Sequence, residues 1–137
     1  MLGYIEFRKQ LLVGALPEVT CLAGTLVQEI YESEPAIRDA CERCISSHAA
    51  TLEADLEEAR RQRRVTADWT PASLALHTQA VIQGALLLAK AKGNTRVAAD
   101  SLDHLKRYIE LSFATATPAR PAALAGARQK RKVRNRT

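Results

Sequence analysis

Residues 70–93 read TPASLALHTQAVIQGALLLAKAKG, and this stretch decides the fold class of the chain. Its opening Thr-Pro pair is typical of a helix start, because a Thr hydroxyl caps free backbone N–H groups and proline suits the first turn. Its final glycine is typical of a helix end. Between residues 80 and 89 only Gln83 is polar, so the predicted helix is apolar on nearly every side. Such a helix must be covered all round, and in a 137-residue chain we expect a second subunit to cover one side.

The rest of the chain also shows apolar residues at helical spacing, and nothing in it convincingly predicts a strand. Four further helices are expected over about residues 2–13, 17–30, 35–63 and 95–114. Pro17 and Pro35 would each lie in the first turn of a helix, where a missing N–H costs nothing. From residue 116 on, an Ala/Pro/Arg-rich composition without periodicity predicts disorder. The expected fold is all-α, a five-helix bundle over residues 1–115 followed by a disordered basic tail over residues 116–137.

Charge is divided unevenly between the body of the chain and its tail. Of the 20 Lys and Arg residues, seven lie in residues 118–137, which contain no acid. The other 13 basic residues stand against 15 acidic ones, so the body carries a net charge of −2. Contact with nucleic acid therefore rests on the tail, whose charges suit salt-sensitive, non-specific binding to phosphates. No aromatic residue lies among them, so base stacking is not expected. A solvated tail without a partner is the alternative.

No combination of side chains predicts an enzyme, a metal site or a cofactor. Cys41 and Cys44 form a C-x-x-C motif, but redox motifs of this kind lie at a helix N-terminus and this one lies within a predicted helix. A zinc site would need two more ligands at a suitable spacing. A small thiol-dependent enzyme is disfavoured, because no base is placed near a thiol.

The cysteine count and the hydropathy of the chain predict its cellular compartment. Three cysteines, an odd number, fit a reducing compartment. There is no secretory signal and no apolar run of the roughly 20 residues that span a bilayer. We therefore expect a cytoplasmic protein with no membrane contact.

Three side chains on apolar faces are candidates for a ligand pocket. Cys21 lies close to Gly24, and it either packs in the core or presents its thiol to a cavity, where it would sense electrophiles or oxidants. His48 and His77 are either satisfied core histidines or polar groups of a pocket between helices. In the second case their expected companions are Thr25, Gln28 and either Gln79 or Gln83.

Four segments of the chain follow one another in an order shared with one protein family. They are CLAGTLVQE (residues 21–29), PAIRDAC (35–41), LEADLEEA (52–59) and IQGALLLAK (82–90). Over residues 1–114 the chain resembles the C-terminal regulatory domain of TetR/AcrR-family transcriptional regulators. The resemblance implies the regulatory domain of a bacterial repressor, which binds a small-molecule inducer and forms a homodimer. The last two helices of each subunit would pack as a four-helix bundle, in agreement with the apolar helix at residues 80–89.

The resemblance also implies two sets of site residues. The inducer pocket would lie between the second, third and fourth helices, with Cys21, Thr25, Gln28, Ile45, His48, Leu52, His77 and Val81 near it. The dimer surface would draw on Ile82, Gly84, Ala85, Leu88, Leu102, Leu105, Ile109 and Phe113. Gly84 would let two helix backbones approach closely; otherwise it is only a weak point of the helix. The inducer is expected to be apolar or electrophilic.

One part of the family pattern is missing from the sequence. Regulators of this family begin with a helix-turn-helix, whose recognition helix enters the major groove. The chain instead opens within what resembles a regulatory-domain helix, so we expect no sequence-specific DNA binding by this chain alone. It is either an experimental truncation, a truncated or misassigned gene product, or a natural stand-alone domain. The alternative function is a stand-alone helical dimerisation module, including one that is dominant-negative toward a full-length relative.

Overall fold

The helical elements lie in the order that the sequence predicts. A computed structural model describes residues 1–13, 18–114 and 117–118. Its helices are α1 (Leu2–Gln10), α2 (Leu22–Ile30), α3 (Pro35–Arg63), α4 (Pro71–Lys92) and α5 (Arg96–Ala114). Two short strands, β1 (Val65–Thr66) and β2 (Thr117–Pro118), pair antiparallel. The predicted all-α, five-helix fold is confirmed, and the small strand pair is an addition to it. Apart from β2, the predicted tail over residues 116–137 lies outside the described residues.

Residues close to each end of α4 determine where the helix begins and ends. At its start, the backbone N–H of Ser73 donates to the Thr70 hydroxyl (3.1 Å) and the backbone N–H of Thr70 donates to the Ser73 hydroxyl (3.2 Å). At its end, Gly93 adopts a φ of 63°, a left-handed conformation that glycine accepts without strain. The predicted bounds of α4 are confirmed. They could be predicted from the sequence because caps of this kind depend on neighbouring residues only.

The second helix is shorter than predicted. It begins at Leu22, whereas Pro17, the expected first-turn residue, lies outside the described residues. Val19 is buried in the core, but Leu22 is 69% exposed. The chain bends at Val19, before α2, so Val19 does not lie on the helix face that Leu22, Leu26 and Ile30 share. The sequence spacing alone could not reveal that bend.

Helix α4 lies at the centre of the bundle, packed against α3 and α5, while α2 packs on α3 and α1 packs on α5. Its most apolar 18-residue window has a mean hydropathy of 1.4, so α4 is by length and composition able to span a membrane. The central helix of a bundle meets the same criterion, and 44% of the window is buried inside the chain. The core around it contains Ile5, Leu52, Leu56, Leu74, Ile82, Leu102, Leu105 and Ile109.

Polar contacts fix α1 across α3 and α5. The Tyr4 hydroxyl lies 2.7 Å from His48 Nε2, and the Lys9 ammonium donates to Asp103 at 2.6 Å. The hydrogen bond from Lys9 lowers the pKa of Asp103 below its ordinary 3.8, and the same contact raises the pKa of Lys9 above 10.5. The Asp103 contribution to stability is therefore present above pH 3.8 and lost as the pH falls through the lowered pKa. The Lys9 contribution to stability is present below pH 10.5 and is lost as the pH rises through the raised pKa of Lys9.

We expect Leu56→Ala to lower the free energy of unfolding by about 2–5 kcal/mol, because it leaves a cavity in the core. Leu56 is fully buried on α3. The matched control is Leu22→Ala at the exposed start of α2, for which we expect a loss of about 0.5 kcal/mol. Chemical denaturation followed by circular dichroism measures both. Equal losses in the two variants would contradict this assignment of the core.

We expect the Asp103 carboxyl to titrate below pH 3.8 in the folded chain, because the Lys9 ammonium stabilises its charged form. An NMR titration of the side-chain carboxyl carbon measures this directly. In Lys9→Met the midpoint should rise, whereas in the control Lys92→Met it should stay where it is. A midpoint that is insensitive to Lys9 would exclude the ion pair in solution.

Candidate functional site

Three of the predicted pocket residues meet in one cavity. Cys21, Thr25 and Gln28 line a cavity of about 120 Å³ between α2 and α4. Gln83 of α4, one of the two glutamines considered as a companion, lines it as well. The remaining lining residues are Thr20, Glu29, Leu86, Leu87 and Lys90. The cavity therefore combines a half-buried thiol, neutral polar groups, one carboxylate, one ammonium group and two leucines of α4.

Gly24 faces the side chain of Gln83. A Cβ atom at position 24 would overlap with the Gln83 amide, so a larger residue there would require that flexible side chain to move. The carbonyl of Gly24 also accepts a hydrogen bond from Gln28 Nε2 at 2.9 Å. Beside them, the Lys90 ammonium donates to the Thr20 hydroxyl, which lies 3.4 Å from the Thr25 hydroxyl. These contacts hold α2 over the second half of α4.

Five predicted pocket residues do not line this cavity: Ile45, His48, Leu52, His77 and Val81. His48 bonds to Tyr4, and Leu52 is buried in the core. His77 is exposed, and its ring lies 5.0 Å from the ring of Tyr108 on α5. Six residues separate His77 from Gln83, which places them about 120° apart around the helix. The structure thus divides the predicted set among different surfaces.

A second cavity lies beside the first and was not predicted. It measures about 260 Å³, between α1, the stretch before α2, α4 and α5. Its apolar lining consists of Leu11, Leu12, Val19, Ile82, Ala85, Leu86, Ala98 and Leu102, and its polar lining of Arg8, Glu18 and Thr20. Thr20 and Leu86 line both cavities, so the two adjoin along α4. No sequence signal identified Arg8 or Glu18, because only the tertiary fold brings four separate segments together here.

Gln79 is the buried polar side chain on α4 that needs an explanation. It is 7% exposed, and its Nε2 has no hydrogen-bond partner among the described residues. An unsatisfied buried donor costs about 1–3 kcal/mol. Gln79 lies one helical turn before Gln83, so the two amides are neighbours along one side of α4. Gln83 lines the smaller cavity, whereas Gln79 lines neither of the two cavities beside α4.

The thiols differ in accessibility. Cys41 is buried and Cys44 is exposed, both on α3, while Cys21 is half-buried at the start of α2. Among the described residues there is no group of three or more His, Cys, Asp and Glu side chains that could hold a metal ion. Cys21 is therefore the thiol that a molecule in the smaller cavity would meet.

The predicted dimer surface needs a correction. Five of its residues, Ile82, Ala85, Leu102, Leu105 and Ile109, are only 2–3% exposed. They are buried within the chain itself, so they offer no surface to a second one. Phe113 is half-buried against Trp69, with a distance of 5.0 Å between ring centroids. Because α4 is apolar on nearly every side, its sequence could not show which side faces inward.

Gly84 and Leu88 remain on the open side of α4, together with residues that the sequence did not single out. A Cβ atom at Gly84 would meet no atom within 4 Å, and Leu88 is 48% exposed. We call the following set the α4–α5 surface: Leu76, Ala80, Gly84, Leu87, Leu88 and Ala91 on α4, with Tyr108 and Leu111 on α5. Leu76, Ala80, Gly84, Leu87 and Ala91 lie three or four residues apart along one side of α4, and Leu88 lies next to Leu87 at the edge of that side. The contact between His77 and Tyr108 joins the two helices there.

The described residues form a helical domain with cavities beside α4 and an open apolar face on α4 and α5. A family model described as the tetracyclin repressor-like C-terminal domain matches residues 9–105. The chain belongs to this family, and the resemblance of its sequence to TetR-family regulatory domains is confirmed. No curated protein and no solved structure matches the chain significantly. The family is one of regulatory domains and points to a non-enzymatic protein.

Proposed function

We propose that this chain is the inducer-binding, homodimerising domain of a cytoplasmic transcriptional repressor. The observation that carries the dimer is the α4–α5 surface. Leu76, Leu87 and Leu88 are 48–55% exposed on a helix whose other side forms the core. Burying one such side chain contributes about 1.5–3 kcal/mol. Two copies of α4 and α5 would cover these residues as a four-helix bundle, with the two Gly84 backbones in close approach.

The two adjoining cavities support inducer binding. Ligand sites usually measure about 300–1,000 Å³, and cavities of about 260 and 120 Å³ reach that range only together. The larger one offers an apolar floor, with the Arg8 guanidinium and the Thr20 hydroxyl at its edge. A small amphipathic molecule fits this arrangement, with its apolar part on Leu86 and its polar group toward Arg8. An electrophilic inducer would also meet the Cys21 thiol.

Neighbouring residues of α4 connect the pocket with the proposed interface. Leu86 lines both cavities, and its neighbour Leu87 lines the smaller cavity and also belongs to the α4–α5 surface. A ligand that moves α4 at this point would change the position of Leu87 relative to the second subunit. Binding and dimer geometry would then be coupled through a single turn of helix.

The stand-alone dimerisation module remains the second candidate function, because the open face of α4 supports it equally well. This candidate shares the α4–α5 surface with the first. It differs from the first in that no ligand needs to bind in the cavities. A measurement of ligand binding therefore distinguishes the two candidate functions.

We expect the chain to have a mass of about 30 kDa in solution, twice the 15.0 kDa of one chain. Light scattering measures this mass. Ala80→Glu should give a monomer, because it places a charge at the centre of the interface. The matched control is Ala54→Glu at an exposed position of α3, which should stay dimeric. A monomeric wild type, or a dimeric Ala80→Glu variant of normal helicity, would refute the interface.

Anilinonaphthalene sulfonate, which is apolar with one anionic group, is a suitable probe of the cavities. We expect Arg8→Gln to weaken its binding by at least about tenfold, since a hydrogen bond to a charged group contributes about 1.5–3 kcal/mol. Probe fluorescence measures the affinity. Arg107→Gln, on the exposed side of α5, is the control and should bind normally. Equal binding by both variants would favour the module that takes no ligand.

A further inference from the structure

A groove lies between the start of α1, the end of α3 and the end of α5. It measures about 440 Å³ and is lined by Met1, Leu2, Ala59, Arg63, Ile109, Glu110 and Phe113. Five of these side chains are apolar, whereas Arg63 and Glu110 contribute one charge of each sign. Binding sites for small molecules usually measure about 300–1,000 Å³, so this groove has the size of a ligand site by itself.

The groove lies at the opposite end of α1 from the larger cavity beside α4. Lys9 pairs with Asp103 at 2.6 Å. Glu6 pairs with Lys106 at 3.4 Å, so α1 and α5 run antiparallel. The groove contains the start of α1 and the end of α5, whereas the larger cavity contains the end of α1 and the first turns of α5. Among the described residues, none lines both the groove and a cavity beside α4.

Aromatic contacts hold Arg63 in position at the groove. Its guanidinium lies over the Phe113 ring, 5.5 Å from the ring centre. The Trp69 ring lies 5.0 Å from the Phe113 ring, and Trp69 Nε1 donates to the carbonyl of Ser112 at 3.3 Å. A guanidinium carries its N–H groups in its own plane, so one that lies over a ring still has N–H groups for a carboxylate. Arg63 is therefore placed to bind a carboxylate group.

The two charges of the groove have no ionic partner in the part of the chain that the structure describes. None of the ion pairs there includes Arg63 or Glu110. The two do not pair with each other either, so their charged atoms lie more than 4.0 Å apart. Glu110 lies one helical turn before Phe113, on the same side of α5. The groove thus presents a cation from α3 and an anion from α5 beside apolar side chains.

We propose that this groove binds a small zwitterion with an apolar body, of the class of apolar α-amino acids. The carboxylate of the ligand contacts Arg63 and its ammonium group contacts Glu110. Its apolar side chain lies against Ile109 and Phe113. A ligand with a single charge is attracted by one of the two charged residues and repelled by the other, whereas a zwitterion is attracted by both. The site goes beyond the proposed function, since it uses neither the cavities beside α4 nor the dimer interface.

Phenylalanine is a suitable probe of the groove, and Trp69 is a suitable reporter. Trp69 is the only tryptophan of the chain, and it contacts the Phe113 ring. Its fluorescence can be excited at a wavelength that phenylalanine does not absorb. We expect phenylalanine to change this fluorescence in a saturable way. N-acetylphenylalanine lacks the ammonium group, phenylalaninamide lacks the carboxylate and glycine lacks the apolar side chain, so each should bind at least about tenfold more weakly.

Substitution of either charged residue should change the preference among these probes. Arg63→Gln should weaken phenylalanine binding by about tenfold but leave phenylalaninamide binding no weaker, because only the contact with the carboxylate is lost. Glu110→Gln should likewise weaken binding of phenylalanine but not of N-acetylphenylalanine. The matched controls Arg43→Gln and Glu53→Gln, at exposed positions of α3, should bind phenylalanine normally. Arg8→Gln at the larger cavity should also bind it normally, which keeps this test separate from that of the inducer.

Three results would overturn the proposal. The first is the absence of a saturable response of the wild-type chain to phenylalanine. The second is equal weakening of all probes in Arg63→Gln and Glu110→Gln, which would assign both side chains a purely structural role. The third is tighter binding of phenylalanine in Glu110→Gln, because Arg63 and Glu110 would then pair with each other in solution.

Discussion

The apolar surface of α4 is the constraint on which the other features of this domain depend. One side of the helix is covered by α3 and α5, and the side chains between them make up most of the core. The opposite side leaves Leu76, Leu87 and Leu88 about half exposed. Removing apolar surface from water is the main favourable contribution to association, so the unburied side of α4 is the observation on which the proposed homodimer rests.

The inner side of the same helix supplies the wall of both cavities. Thr20, in the chain before α2, and Leu86 on α4 line both cavities. Gln83 lines the smaller cavity, and Gln79 contributes a buried donor one turn earlier on α4. Core, cavities and open face therefore meet within a few turns of one helix. This arrangement is suited to a regulator, because a change on one side of a rigid helix is transmitted to the other.

Charged side chains lie outside that apolar centre. The Lys9–Asp103 pair joins α1 to α5, and Arg60, Arg61 and Arg63 lie in the last turn of α3. The body as a whole carries a net charge of −2, which opposes non-specific attraction to DNA over most of its surface.

The sequence by itself determined the helical class, the family and the bounds of α3 and α4. These follow from local rules: a repeat of 3.6 residues, a Thr-Ser capping box and a glycine that tolerates a positive φ. Of the eight pocket residues that the family resemblance implied, three (Cys21, Thr25 and Gln28) line one cavity, and the other five do not. Only the tertiary structure decided where α2 begins, which side of α4 faces inward and which residues surround the larger cavity. Arg8, Glu18 and Ala98 are far apart in sequence, and Ile82 and Leu88 are equally apolar. Their places depend on how separate helices pack, and no local pattern records that.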